Sequence, residues 1–346
     1  MIRTTITPLP GPLPRVSVVV PCYNYGRYLR SCVESVLGQE GVVVDVTIVD
    51  DASTDTSVSV AEELCDGDDR VRLVRHSHNR GHIRTFNDAL AEATAEFVVK
   101  MDADDLVPPR ALARSVGLLA AYPQMSFAYG HPQVFSDDPP AVPRARQRPS
   151  SVWAGQEWIT LILRRAHNVI MQPEVVMRRS ALEIVGGHRA AVPEASDFNL
   201  WLRLASVGSV GRVNGTVQGQ YRIHDQSMQR TIHAGYLSDL RARKAAIDLF
   251  LAESADRLDD PETLRDLAHG ALARDARRLA HRAYDLGAES TEPIAEYLAV
   301  AAELDPSRPG GNRRGRLRLA GQLNPARLYR ETEDRILWRR WRRYGT

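Results

Sequence analysis

Residues Val16-Ser17-Val18-Val19-Val20-Pro21-Cys22-Tyr23-Asn24 read as a buried strand that runs into a polar turn. A nearly unbroken β-branched run suits a strand covered on both faces, as in a parallel sheet, because neither side has to meet water. Pro21 closes the run, since proline brings no backbone N–H to a ladder. Leu29, Cys32, Val33, Val36 and Leu37 then recur at helical spacing, and Val42 to Val49 is a second apolar strand stopped by Asp50-Asp51. Strand, amphipathic helix and strand make one βαβ unit.

The alternation extends outward from this unit. A helix is expected from about Thr56 to Leu64, a strand from Val71 to Val74, a helix carrying Phe86 and Leu90, and a strand from Phe97 to Met101. A helix opening at Pro108-Pro109 and a strand near Ser126 to Tyr129 follow, and Asp137 to Ser150, rich in proline and arginine, reads as a mobile loop. Beyond it come a helix with Trp158, Ile159 and Ile162, a strand around Val169 to Met177, a short helix Ser180 to Val185 closed by Gly186-Gly187, and a helix from about Asp197. From Tyr236 the pattern is helical only, with Leu264, Leu267, Ala268, Ala271 and Leu272 on one stripe. The expected class is α/β: a Rossmann-like, mostly parallel sheet with flanking helices over residues 15–232, its two halves meeting near residue 105. A leader, 1–14, precedes it, and a mainly α-helical region, 233–346, follows.

The chain has 346 residues, 43% hydrophobic and 25% charged, which excludes disorder and collagen and suffices for one large or two modest cores. Cys22, Cys32 and Cys65 are too few and scattered for a disulfide framework, and no Cys/His spacing suggests zinc. No run approaches the roughly 18 apolar residues of a spanning helix, so a cytoplasmic location is expected. The net charge of +2 conceals an asymmetry: from Asn312 onward eleven arginines stand against three acidic residues. That tail, with Trp338 and Trp341, suits either peripheral contact with anionic lipid or packing on the rest of the protein or on a second copy. No nucleic-acid partner is expected.

Ligands of an open α/β sheet bind outside the carboxyl ends of its strands, where helix N-termini and loops converge. Three polar clusters fall there: Pro21-Cys22-Tyr23-Asn24, then Asp50-Asp51-Ala52-Ser53-Thr54-Asp55, then Asp102-Ala103-Asp104-Asp105. On an extended chain Asp102 and Asp104 point to one side, and two carboxylates there suit Mg²⁺ or Mn²⁺ completed by a diphosphate and water. Tyr23 offers a plane for a nucleobase, and Asp51 an acceptor for a pyrimidine N–H. Simpler roles are also open: Asp55 as a helix N-cap, Asp50 as a turn residue, and the acidic cluster as a solvated cap of the next helix. Neither GxGxxG nor GxxxxGK[ST] follows the first strand, which disfavours dinucleotide and P-loop sites.

The run Val18 to Asn24, the run Val49 to Asp55, Asn79-Arg80-Gly81 with Asn87, and Met101 to Asp105 together resemble glycosyltransferase family 2, inverting enzymes of GT-A fold. The likeness continues through Ser196-Asp197-Phe198-Asn199-Leu200-Trp201 and Tyr221-Arg222-Ile223-His224-Asp225-Gln226-Ser227, so it covers about residues 15–228. It implies a nucleotide-sugar donor, above all a UDP-sugar, and a saccharide, lipid-linked or natural-product acceptor. Pro21, Tyr23, Asn24, Asp51 and Arg80 would form the donor site with Asp102, Ala103, Asp104 and Asp105. Of these, Asp102 would serve ribose or metal, Asp104 the metal, and Asp105 would lie near the donor sugar. His224 would approach the divalent cation, and Asp197 would be the catalytic base. Three positions depart from the pattern: Ala52 replaces a usual glycine, Phe86 an arginine, and Ser196 a glutamate. The rival readings are a sugar nucleotidyltransferase, disfavoured because Pro21 to Gly26 lacks a basic residue, and a non-catalytic nucleotide-sugar-binding protein.

Overall fold

The computed structural model describes residues 1–5, 11–136, 147–224, 235–285 and 291–307. The basic tail lies outside the described residues, as do most of the expected loop and Asp225 to Ser227 of the late motif.

Eleven strands are described: β1 (Ile2–Thr4), β2 (Arg15–Cys22), β3 (Val43–Asp50), β4 (Val71–Arg75), β5 (Phe97–Lys100), β6 (Met125–Tyr129), β7 (Pro132–Phe135), β8 (Arg148–Trp153), β9 (Val176–Arg178), β10 (Ser209–Asn214) and β11 (Gly219–Arg222). Nine join one sheet in the order β1-β8-β10-β6-β9-β5-β2-β3-β4, and β7 pairs with β11 in a second. From β5 to β4 all pairings are parallel. Beyond β5 they are mixed, with β9 antiparallel to both β5 and β6. The described α-helices up to residue 205 are α1 (Gly26–Leu37), α2 (Ser57–Gly67), α3 (His82–Ala91), α4 (Ala111–Ala121), α5 (Gly155–Leu163), α6 (Arg179–Val185) and α7 (Ser196–Ala205).

The core follows from the apolar patterns. Val16, Val18 and Val20 of β2 pack with Leu29, Cys32, Val33 and Val36 of α1 and with Val44, Val46 and Ile48 of β3. Each such side chain contributes about 1.5–3 kcal/mol by leaving water, which fixes α1 on the sheet. The chain lays β3 and β4 to one side of β2 and then returns to place β5 on the other. The strand order therefore reverses between β2 and β5, and the turns following those two strands flank the switch point where α/β sheets bind ligands.

Three expectations change. Ser150 belongs to β8, not to a loop, because Arg148–Trp153 pairs with both β1 and β10. The expected strand Val169 to Met177 reduces to β9, preceded by the 3₁₀ turn Gln172–Glu174. The helix expected at Pro108-Pro109 begins at Ala111, after a turn in which Arg110 takes φ +61°.

The described chain divides into two compact units, residues 1–158 with 170–224, and residues 159–169 with those from Gly235 onward. The second is helical and includes α8 (Tyr236–Glu253), α9 (Pro261–Asp285) and α10 (Ile294–Leu304). Within it the buried Arg243 donates to Asp239 and Asp275 at 2.8 Å each and to the carbonyl of Ala166. Burial would raise the Asp275 pKa, but His167 and Arg243 outweigh it and hold the carboxyl well below the usual range. No described helix is long and apolar enough to cross a membrane.

Candidate active site

The turns after β2 and β3 are locked to one another. Asn24, at φ +59°, accepts from the Thr54 amide at 2.8 Å, while its own N–H donates to Ser53 Oγ at 3.0 Å. Asp55 does more than cap one helix: its Oδ2 accepts from Gly26 N–H at 3.0 Å and its Oδ1 from Ser57 N–H at 2.8 Å, joining the first turns of α1 and α2. Gly26 permits that approach, since a Cβ there would stand 2.7 Å from the Ser57 amide. Asp50 is the expected turn residue, accepting from Ser53 N–H at 3.0 Å. Pro21 lies within β2, and Tyr23 projects with 44% of its surface exposed, available as a plane.

Asp51 is buried and engaged. Its Oδ1 accepts from Arg80 N–H and lies beside His76 Nδ1, both at 2.8 Å, and its Oδ2 accepts from Gly81 N–H at 2.9 Å. Burial would raise its pKa, but the bonds from His76, Arg80 and Gly81 outweigh it and keep the group ionised. Asp51 thus ties β3 to the Asn79–Gly81 loop while remaining an anionic acceptor. The Arg80 guanidinium pairs with Asp88 at 2.7 Å.

The acidic cluster is a turn, not an extended strand. The strand β5 ends at Lys100, and Asp105 N–H closes onto the Asp102 carbonyl at 3.0 Å. Asp102 is partly exposed and meets Lys100 Nζ at 2.7 Å. Asp104 Oδ2 lies 3.0 Å from His224 Nε2, across 120 positions of sequence. Burial and the charge of Asp102 raise the Asp104 pKa, with His224 opposing. The Ala103 and Asp105 side chains turn inward. Ala103 packs in the core, and Asp105 is 0% exposed, accepting from the Arg222 amide at 2.8 Å. Burial beside Asp104 and Asp102 pushes the Asp105 carboxyl far up.

Arg222 organises this edge. Its Nε donates to the Asp104 carbonyl at 2.8 Å, and its guanidinium lies 4.6 Å and 4.4 Å from the ring centres of Tyr28 and Phe135. The His224 ring lies 5.2 Å from Tyr28 and 5.8 Å from Tyr25. A divalent cation fits these donors. Two adjacent ligands of a six-coordinate ion with bonds of about 2.1 Å stand about 3.0 Å apart, the separation of Asp104 Oδ2 and His224 Nε2. Among the described residues no three His, Cys, Asp or Glu side chains gather around one point, so diphosphate and water would complete the shell.

Asp197 sits in the first turn of α7, where its Oδ1 accepts from Phe198 N–H at 2.7 Å. Burial raises its pKa, against that bond and the charge of Lys100. Lys100 therefore acts on both Asp102 and Asp197. Its signal was visible, because it is one of only two lysines in the chain. The two departures Phe86 and Ser196 are linked through His188, whose ring lies 4.1 Å from Phe86 and whose Nδ1 is 3.3 Å from Ser196 Oγ. Burial, with Lys100 and Arg203, holds His188 neutral. Asn87 clamps its backbone, accepting at 2.8 Å and donating at 3.0 Å.

Glycosyl transferase family 2 matches residues 17–183. EpsE of Bacillus subtilis, named as a glycosyltransferase, is 29% identical over 201 residues, covering 57% of this chain and 69% of its own length. Other relatives are matched over between 20% and 66% of theirs. TarS of S. aureus, solved with UDP-GlcNAc, superposes with a TM-score of 0.62 at 15% identity, over 85% of this chain and 82% of that one. The mannosyltransferase PcManGT from Pyrobaculum calidifontis, solved with GDP-Man and Mn2+, gives 0.51 at 23% identity, over 91% and 89%. The protein is therefore a glycosyltransferase with the GT-A fold. Its residues 17–183 form a glycosyltransferase family 2 domain.

Proposed function

We propose that the protein is an inverting, metal-assisted transferase that moves a sugar from a nucleoside-diphosphate sugar, a UDP-sugar, to an acceptor hydroxyl. The observation that carries this reading is the pairing of Asp104 with His224 at 3.0 Å at the carboxyl edge of the parallel strands, with Asp197 within the field of the same Lys100. Tyr23 stacks on the base and Asp51 accepts its ring N–H. Asp104 with His224 would hold Mn²⁺ or Mg²⁺, and Asp102 would serve the ribose or the ion. When bound, that ion neutralises charge on the departing diphosphate.

The acceptor oxygen attacks the anomeric carbon as the bond from that carbon to the phosphate oxygen breaks, and the electron pair leaves with the nucleoside diphosphate. The acceptor proton passes to Asp197. A carboxylate with a raised pKa is a stronger base than an ordinary one, and the burial of Asp197 provides that shift. A single in-line displacement inverts the anomeric centre, so no covalent nucleophile is needed. UDP-GlcNAc in TarS and GDP-Man with Mn2+ in PcManGT support a nucleotide-sugar donor. The acceptor is a saccharide, a lipid-linked intermediate or a small natural product.

A thermal-shift panel of UDP-, dTDP- and GDP-sugars with and without Mn²⁺ tests the reading. A saturating donor at about 100 times its Kd stabilises by about 2.7 kcal/mol. The expected result is a rise in Tm with a UDP-sugar that disappears in excess chelator; no response to any nucleotide sugar would reject it.

A further inference from the structure

Among the buried polar groups of the first unit, Gln172 stands apart. It is 6% exposed, yet neither its Nε2 nor its Oε1 has a hydrogen-bond partner. An amide buried in that condition is costly, because it forfeits its hydration without replacement. Such a group is tolerated where a ligand or a bound water supplies the missing bonds.

Its position selects between these. Gln172 opens the 3₁₀ turn Gln172–Glu174, whose closure is fixed by Glu174 Oε1 accepting from the Met171 amide at 3.0 Å. The antiparallel register of β5 and β9 pairs Phe97 with Arg178 and Val98 with Met177. The 3₁₀ turn itself contacts β5, whose end leads into the Asp102–Asp105 turn. On its other flank the 3₁₀ turn abuts β11 at Gly219, where a Cβ would stand 2.6 Å from the Pro173 carbonyl carbon. That strand leads to Arg222 and His224. The turn therefore touches both strands that lead to Asp104 and His224, and Glu174 Oε2 beside it also lacks a partner.

The geometry points to Gln172 as the residue that reads the sugar of the donor, its amide bonding two neighbouring ring hydroxyls. This rests on the nucleotide-sugar reading above. A primary amide presents a donor and an acceptor about one hydroxyl spacing apart, so it can accept from one member of a vicinal diol while donating to the other.

Isothermal titration of the full chain with UDP, UDP-glucose, UDP-N-acetylglucosamine and GDP-mannose, each with Mn²⁺, tests this in the parent and in Gln172→Met. The variant is expected to bind UDP within twofold of the parent while losing roughly tenfold or more for the preferred nucleotide sugar. Its ligand-free Tm should be equal or higher, because an unpartnered amide gives way to an apolar side chain of similar shape. Unchanged nucleotide-sugar affinity would overturn the proposal, and a lowered Tm beside it would assign the amide to an internal water. A parallel loss for UDP would overturn it as well, making the turn a support for the nucleotide. If Gln172→Met does not fold, Gln172→Asn, which keeps the amide but withdraws it by one methylene, must show the same selective loss. Failure of the parent to bind any of these compounds would instead reject the nucleotide-sugar reading itself.

Discussion

Ala52 is held at φ +60° between the ends of β3 and α2, a conformation that costs an L-residue about 1–2 kcal/mol. Glycine pays no such cost but loses about 0.4–1 kcal/mol through its freer unfolded chain. Ala52→Gly should therefore gain about 0.5–1 kcal/mol, read as a higher denaturant midpoint at constant slope. Asp197→Asn keeps the size and the acceptor for Phe198 N–H but cannot take a proton. It should lower kcat by about 10²–10⁴-fold with nucleotide affinity and Tm near those of the parent; activity within a few-fold of the parent would leave Asp197 as a helix-terminus residue only. Glu174 predicts a pH dependence. Burial raises its carboxyl from 4.5 to about 8, so the folded state holds a proton that the unfolded state releases first. Stability from this group is complete below about pH 4.5, falls as pH rises, and levels off above about 8. Glu174→Gln should flatten the fall in Tm between pH 5 and 8, which thermal melts across that range would show.

At the scale of elements, the acidic turn after β5 depends on β11. Arg222 holds the Asp105 side chain through its amide and the Asp104 carbonyl through its guanidinium, between two aromatic rings. Lysine has neither the planar fork nor the stacking face, so Arg222→Lys should raise the Mn²⁺ concentration needed for half-maximal transfer several-fold, measured at saturating donor. The sequence reveals such arrangements unevenly. β2, β3 and their helix are legible because both faces of the strands are buried, so valine repeats without interruption. β8 and β10 are not, since their buried positions include Ser150, Ser151, Arg212 and Asn214, polar residues that break the apolar pattern; Asn214 Nδ2, for one, donates to Ser151 Oγ across the sheet at 3.0 Å. Likewise the acidic residues were legible as a cluster but not as a turn, because the chain closure that turns Asp105 inward is made by Asp102 and by a strand more than a hundred residues away. His188 and Gln172 carry no motif. Their burial marks both, with the contacts of His188 to Phe86 and Ser196 and the unpartnered amide of Gln172.

Across the whole molecule, the nucleotide site and the helical unit report separately. UDP with Mn²⁺ should raise the Tm while UDP in excess chelator should not, and stabilisation by UDP alone would remove the metal from the site. In the helical unit, Asp275→Asn leaves the buried Arg243 with the more exposed Asp239 as its remaining carboxylate and should cost about 1–3 kcal/mol; a denaturation curve unchanged from the parent would contradict that assignment. The span from Asp104 to His224 has one more consequence, in time. At about 5–20 residues per second, His224 leaves the ribosome roughly 6–24 seconds after Asp104. Until then the nascent chain carries the acidic turn without Arg222 to set it and without the imidazole that faces Asp104. A translation arrest anywhere in that interval releases a chain that has the signature of a glycosyltransferase but not its assembled edge.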